Sequence, residues 1–246
     1  MSQLVLREDV DGVAILSLNR PKALNALSPA LFVELHEHVK ALAGQTEEIG
    51  CVILRGEGRS FSAGNDLKAM QAGEEAPYPL FQAETVEMIE DLPQPVIAEI
   101  AGHCYTGALE LALACDLMIC GENAKFADTH GKWALTPLWG MSQRLPRRIG
   151  TLNAKEMMFT GRVVSGAEAF EIGLVNKCVP DAELSEAALQ MARDITENSW
   201  HTLRADKMLL NRGQDFGLKA GLKFERENSP GRATGDEERL SGFKQS

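Results

Sequence analysis

Two short stretches place small residues where a strand hands over to a helix. One is Ala63-Gly64-Asn65-Asp66 within FSAGNDLKAM, and the other is Tyr105-Thr106-Gly107-Ala108 within CYTGALELALAC. Backbone N–H groups at such junctions have no partner of their own and attract negative charge. If the strands before them are neighbours, the N–H groups of Asn65 and Gly107 can converge on one oxygen. Two such donors in a dry site form an oxyanion hole, in which one donor elsewhere has been worth ~3 kcal/mol. Small residues also serve ordinary packing at strand–helix junctions, so neither turn decides the matter alone. Glu110 lies three residues after Gly107 among apolar neighbours. Its placement suits an exposed first-turn glutamate that complements a helix dipole, or an acid or base held beside an oxyanion hole.

These residues need a scaffold, and the pattern of the chain supplies one. VAILSLNR alternates as a strand does and stops at Pro21. SPALFVELHEHVKAL has a serine cap, a proline at the first helical position and helical apolar spacing. CVILRG, PVIAEIAG and DLMICGE read as buried strands, with helices expected in FQAETVEMIEDL and GALELALAC between them. QAGEEAPYPL reads as a surface loop. The alternation predicts an α/β fold. Beyond residue 150, TLNAKEMMFTG and SGAEAFEIG read as short helices, the second with a capping box from Ser165 to Glu168, and LVNKCV as a last strand. Two amphipathic stretches, at 181–199 and 201–228, follow. A tail of that size cannot cover all its apolar surface, so an oligomer is expected.

Composition narrows the function classes. Of 246 residues, 44% are hydrophobic and 24% charged, the profile of a globular protein with a sizeable core. A net charge of −10 with no basic face excludes a nucleic-acid partner. The five cysteines, an odd number at irregular spacing, suggest buried thiols rather than disulfides. His103, Cys104, Cys115 and Cys120 fit no zinc spacing, so no metal is expected. With no signal peptide and no apolar run of membrane-spanning length, the expectation is a cytoplasmic protein that does not enter membranes.

NRPKALNAL, GRSFSAGNDLKAM, IAEIAGHCYTGALELALACDL and KFADTHGKWALTPLWGMSQRLPRRIG, in that order, resemble the enoyl-CoA hydratase/isomerase superfamily, the crotonases. The resemblance runs from about residue 4 to residue 180, and GDEERLSGF is similar to the family's closing helix. It implies a spiral of ββα units with a C-terminal helical trimerisation region, here divided as residues 1–190 and 191–246. It implies a homotrimer or a hexamer built as a dimer of trimers. By position it puts Asn65 and Gly107 at the oxyanion N–H groups and Glu110 at the first catalytic glutamate. Lys22, Ala23 and Asn25 fall on the loop that holds coenzyme A, and Ala63, Asp66, Leu67 and Lys68 where relatives line the thioester and adenine. No cofactor is implied, since coenzyme A enters as part of the acyl-CoA thioester substrate.

The second glutamate of the familiar hydratases is replaced here by His130. Imidazole, with an ordinary pKa of about 6.5, can take a proton from water and return one. It can also be a loop residue bonded to Asp128 or Thr129. The resemblance therefore implies a lyase that reversibly hydrates trans-2-enoyl-CoA to 3-hydroxyacyl-CoA with a Glu110/His130 acid–base pair. The alternatives are an enoyl-CoA isomerase or other enolate chemistry, and a catalytically silent acyl-CoA binder. His103 reads as structural, Trp133 and Trp139 as core more readily than pocket wall, and Arg144, Arg147 and Arg148 as a solvated or intersubunit face.

Overall fold

Alternation along the central strands divides the interior into two unequal layers. The computed structural model describes residues 3–233. In chain order it runs through β1 (Val5–Val10), β2 (Val13–Leu18), α1 (Pro29–Ala43), β3 (Cys51–Gly56), α2 (Leu67–Gln71), α3 (Phe81–Glu90), β4 (Val96–Ile100), β5 (His103–Tyr105) and α4 (Gly107–Leu113). It continues with β6 (Leu117–Gly121), β7 (Lys125–Ala127), α5 (Met141–Thr160), β8 (Val164–Ser165), α6 (Gly166–Glu171), β9 (Lys177–Val179), α7 (Leu184–Thr196), α8 (Trp200–Gly213) and α9 (Leu218–Asn228).

The main sheet has the order β1-β2-β3-β4-β6-β9. Only β1 and β2 pair antiparallel; the other neighbours are parallel, with Val13 opposite Cys51, Val52 opposite Val96 and Ala98 opposite Met118. Successive side chains of a strand face opposite sides. Val13, Ile15, Cys51, Ile53, Ile97 and Ile119 therefore meet Leu184, Ala188 and Ala192 of α7 on one face. Ala14, Leu16, Val52, Leu54, Ala98 and Met118 join the larger core on the other, with Phe32 and Leu35 of α1 and Leu109 and Leu111 of α4. The arrangement is the α/β fold read from the alternation. Residues 190 and 191, where the sequence division falls, both lie inside α7.

A second, three-stranded sheet, β5-β7-β8, is interleaved with the main one along the chain, β6 falling between β5 and β7 and β9 after β8. Its strands are two or three residues long, too short to leave a periodic signal. α5 is longer than the helix read at 151–161, because 141–149 is helical too. Pro146 lies inside it, and Gly150, at φ 78° and ψ 156°, breaks it into two segments. The stretch read as one helix at 201–228 is likewise divided into α8 and α9. Residues 235–243, which carry GDEERLSGF, lie outside the described residues.

α8 is fastened to the sheet by two side chains. Trp200 packs so closely over Gly12 and Gly50 that a methyl group at Gly50 would come within 2.3 Å of the ring. Lys207 Nζ donates to Asp116 Oδ2 at 2.7 Å and to the carbonyl of Gln94 at 3.0 Å, and Asp116 Oδ2 also accepts the N–H of Val96 at 2.7 Å. The start of β4 is thereby pinned to α8.

Candidate active site

β3 and β4 are adjacent and parallel, so the turns that follow them emerge side by side. Ser62 and Cys104 pair as an isolated bridge just before those turns. Gly64 has φ 98°, and a Cβ there would meet the carbonyl oxygen of Tyr105 at 2.6 Å and the Gly107 nitrogen at 3.6 Å. Only glycine allows this approach. Asn65 and Gly107 accordingly share the lining of one cavity of about 280 Å³, together with Glu110 and His130. Among the described residues neither N–H gives a hydrogen bond to another group of the chain.

Each turn is held by its own device. Asp66 caps α2, with Oδ1 accepting the N–H groups of Lys68 and Ala69 at 3.0 and 3.2 Å and Oδ2 accepting Arg20 Nη1 at 2.7 Å. Burial works against its charge, but the Arg20 hydrogen bond and those two N–H groups outweigh it and hold the carboxyl below its ordinary pKa. Thr106 carries the strain of the second turn, at φ 53° and ψ −110°, a rare setting for a β-branched residue. Its hydroxyl lies 2.5 Å from that of Thr129 and accepts the Thr129 N–H at 3.1 Å. The Thr106 N–H donates to the carbonyl of Ala127 at 2.8 Å. These bonds tie the Gly107 turn to the loop that carries His130.

Glu110 is 2% exposed on a helix whose residues are all buried. The first-turn surface glutamate is therefore not what the structure contains. Its Oε1 accepts the N–H of Trp139 at 2.9 Å and of Met141, the first residue of α5, at 3.1 Å. Its Oε2 lies 3.6 Å from His130 Nε2. Burial pushes the Glu110 carboxyl above its ordinary pKa; the two N–H groups and the His130 charge act the other way without cancelling it. On the far side of the imidazole, His130 Nδ1 is 2.6 Å from Asp128 Oδ1, which also accepts the His130 N–H at 3.1 Å. Burial would lower the imidazole pKa, but the Asp128 hydrogen bond and charge, and then the Glu110 charge, raise it above the ordinary value. The result is a carboxylate–imidazole–carboxylate line at the cavity wall.

Trp139 is both core and wall. It is buried, edge-on to Phe32 with centroids 5.0 Å apart, and its ring occupies the space a Cβ at Gly107 would need, 2.5 Å away. Trp133, by contrast, is 57% exposed and lies in neither core nor cavity. Pro29, Met70, Ala76, Leu135 and Leu138 complete the apolar lining.

The remaining sequence candidates stand apart from this cavity. Lys22 and Ala23 are exposed on a short 3-10 turn, Pro21–Ala23, and Lys68 is exposed on α2. Asn25 is fully buried, its amide donating to the carbonyls of Glu57 and Ser60 while Oδ1 accepts the Arg20 N–H. It therefore shapes its loop through backbone contacts. Ala63 and Leu67 are half-buried beside Asn65 and Asp66. Among the arginines, Arg144 pairs with Glu90 and donates to the Trp139 carbonyl at 2.7 Å, and the half-buried Arg148 donates to the Cys115 carbonyl at 3.0 Å. His103 Nδ1 meets Ser60 Oγ at 2.9 Å, a structural contact. Among the described residues no group of three or more His, Cys, Asp or Glu side chains is placed to hold a metal ion.

Sequence reasoning missed the two N–H donors to Glu110 and the pairing of Thr106 with Thr129. Backbone donors carry no residue signature, and a Thr–Thr contact 23 positions apart has none either.

Comparison with known proteins bears on the whole chain. Residues 8–243 match the family model of enoyl-CoA hydratase/isomerase. The short-chain-enoyl-CoA hydratase of Clostridium acetobutylicum is 35% identical, with 91% of this chain and 87% of the relative covered. The crotonyl-CoA hydratase of Syntrophomonas wolfei is 34% identical over 90% of this chain and 86% of the relative. The crystal structure of an enoyl-CoA hydratase from Bacillus anthracis superposes with a TM-score of 0.91 at 36% identity, covering 99% of this chain and 96% of that one. With its motifs in order and its fold shared, the chain belongs to the enoyl-CoA hydratase/isomerase family and is a crotonase-fold protein.

Proposed function

We propose that the protein is an enoyl-CoA hydratase, adding water reversibly across the double bond of a trans-2-enoyl-CoA. The observation that carries this reading is the separation of 3.6 Å between Glu110 Oε2 and His130 Nε2, at a wall shared with the N–H groups of Asn65 and Gly107, which bond to no other group among the described residues. A water molecule can sit within hydrogen-bond distance, about 2.8 Å, of both the carboxylate oxygen and the imidazole nitrogen.

The reactive state has one proton on the pair, with Glu110 ionised and His130 protonated. Glu110 Oε2 takes a proton from water as the water oxygen bonds to the β-carbon. Charge moves to the thioester oxygen, where the Asn65 and Gly107 N–H groups hold it more tightly than they hold the neutral carbonyl. His130 gives its Nε2 proton to the α-carbon. Passage of the Glu110 proton to His130 then restores the pair, so one water is consumed and no charge is left over. Coenzyme A arrives with the substrate and the steps require no further group. The exposed Lys22 and Lys68 are suited to its phosphates.

The reading extends to a homotrimer or hexamer in the cytoplasm. Among the described residues no helix is long and apolar enough to cross a membrane.

Crotonyl-CoA and longer enoyl-CoAs, followed by loss of the conjugated-thioester absorbance, test the activity. The wild type is expected to turn over, with Glu110→Gln and His130→Ala each slower by about 10²–10⁴-fold. A flat trace with bound ligand would overturn the reading, and α-carbon deuterium exchange without net hydration would replace it with an isomerase.

A further inference from the structure

We propose that Asp128 is a positioning residue for the acid–base pair, fixing the proton of His130 on Nδ1 and keeping Nε2 for the reaction. Its kinetic part rests on the hydratase reading; its structural part does not. Asp128 is 2% exposed, and one of its oxygens receives both the His130 backbone N–H at 3.1 Å and Nδ1 at 2.6 Å. A carboxylate accepts and does not donate, so the ring must present Nδ1–H to it. In the neutral ring, Nε2 is then the bare nitrogen, turned towards Glu110 Oε2 and the cavity. In the charged ring, Nε2–H is the proton that can leave. The other tautomer would bring two bare acceptors together at 2.6 Å and leave no base at the wall.

The groups facing the imidazole are Asp128 from the end of β7 and Glu110 from α4; Glu74 is the remaining ionisable residue on the cavity lining. The contact with the backbone N–H alone would be an ordinary Asx turn, which orders the loop and does nothing to the ring. Asp128→Asn separates the two roles. The His130 N–H still requires an acceptor at the same position, so the amide oxygen stays where Oδ1 was, the tautomer is kept and the charge is lost.

Imidazole ¹⁵N spectra, with His130 assigned by its loss in His130→Gln, read the ring directly. In the wild type the neutral ring is expected with Nδ1 protonated and Nε2 bare. Asp128→Asn is expected to lower its titration midpoint by about one pH unit. kcat for crotonyl-CoA should fall about tenfold with KM within twofold, and the pH dependence of kcat should move with the midpoint. Asp128→Ala should lose more. A wild-type ring protonated on Nε2 overturns the proposal even if no variant folds, and so does an unmoved midpoint in folded Asp128→Asn. A wild type that hydrates nothing while its ring behaves as stated overturns the hydratase reading and leaves the role of Asp128 standing.

Discussion

Glu110 divides its two oxygens between anchoring and chemistry. Oε1 is occupied by the N–H groups of Trp139 and Met141, which fixes the plane of the carboxylate and leaves Oε2 towards His130. Burial raises the pKa of Glu110; Asp128 and Glu110 raise that of His130 against the effect of burial. Both groups thus bind protons more tightly in the folded protein than in the unfolded chain, so stability falls as pH rises through their folded values. The contribution is fully present below the unfolded values, about 4.3 for Glu and 6.5 for His. It is lost from there upwards until both folded values are passed. The double variant Glu110→Gln, His130→Gln lacks both titrations. Between pH 5 and pH 8.5 the wild-type Tm should therefore fall relative to that of the double variant. Parallel Tm curves across that range would show that the pair does not titrate as the geometry requires.

Among the elements, α8 shows how a charged residue can anchor a helix. Lys207 is buried, and its ammonium meets Asp116, whose carboxyl is raised by its own burial and lowered by Lys207. Removing the lysine leaves a largely buried carboxylate without its cation. Lys207→Ala should cost about 3 kcal/mol, a Tm drop on the order of 10 °C, and adding Asp116→Asn should recover part of it. Thermal unfolding of the three proteins checks this; equal losses in single and double variants would mean that packing, not charge, holds α8.

What the sequence made legible follows the same division. The long strands β2, β3, β4 and β6 and the helices α1, α3 and α4 carry enough period to be read directly. The meeting of the Asn65 and Gly107 turns was legible only on the condition that the strands before them are neighbours, and the parallel pairing of β3 with β4 meets it. The sheet β5-β7-β8 was not, since its strands barely repeat. Nor was the helix at 141–149, where Pro146 and Gly150 argue locally against a helix that tertiary packing of Met141, Leu145 and Ile149 maintains. His130 was found as an exception to a family pattern that also paired it with Glu110; the choice of Asp128 over Thr129 as its second partner needed the fold.

At the scale of the whole molecule, an apolar face on α5 stands without cover among the described residues, as do Leu210, Leu218 and Leu222 of α8 and α9. Leu152 and Phe159, seven positions apart on the second segment of α5, share a helical face and are 84% and 80% exposed. Val163 and Phe170 are exposed nearby in sequence, and Arg162 bridges Glu156 and Glu168 at 2.9 and 2.7 Å, a polar fringe next to apolar residues. A patch of this kind with a polar border is the character of a protein interface. In the trimer proposed above it is the face that a second copy would bury. Light scattering on the purified protein should give three or six times the 26.8 kDa chain mass. Leu152→Glu with Phe159→Glu should shift it towards a single chain, because two carboxylates would have to be desolvated at the contact. Both side chains are exposed in the single chain, so its circular dichroism spectrum should not change. A wild-type mass of one chain would overturn the trimer, and an unchanged oligomer in the variant would move the interface to another face.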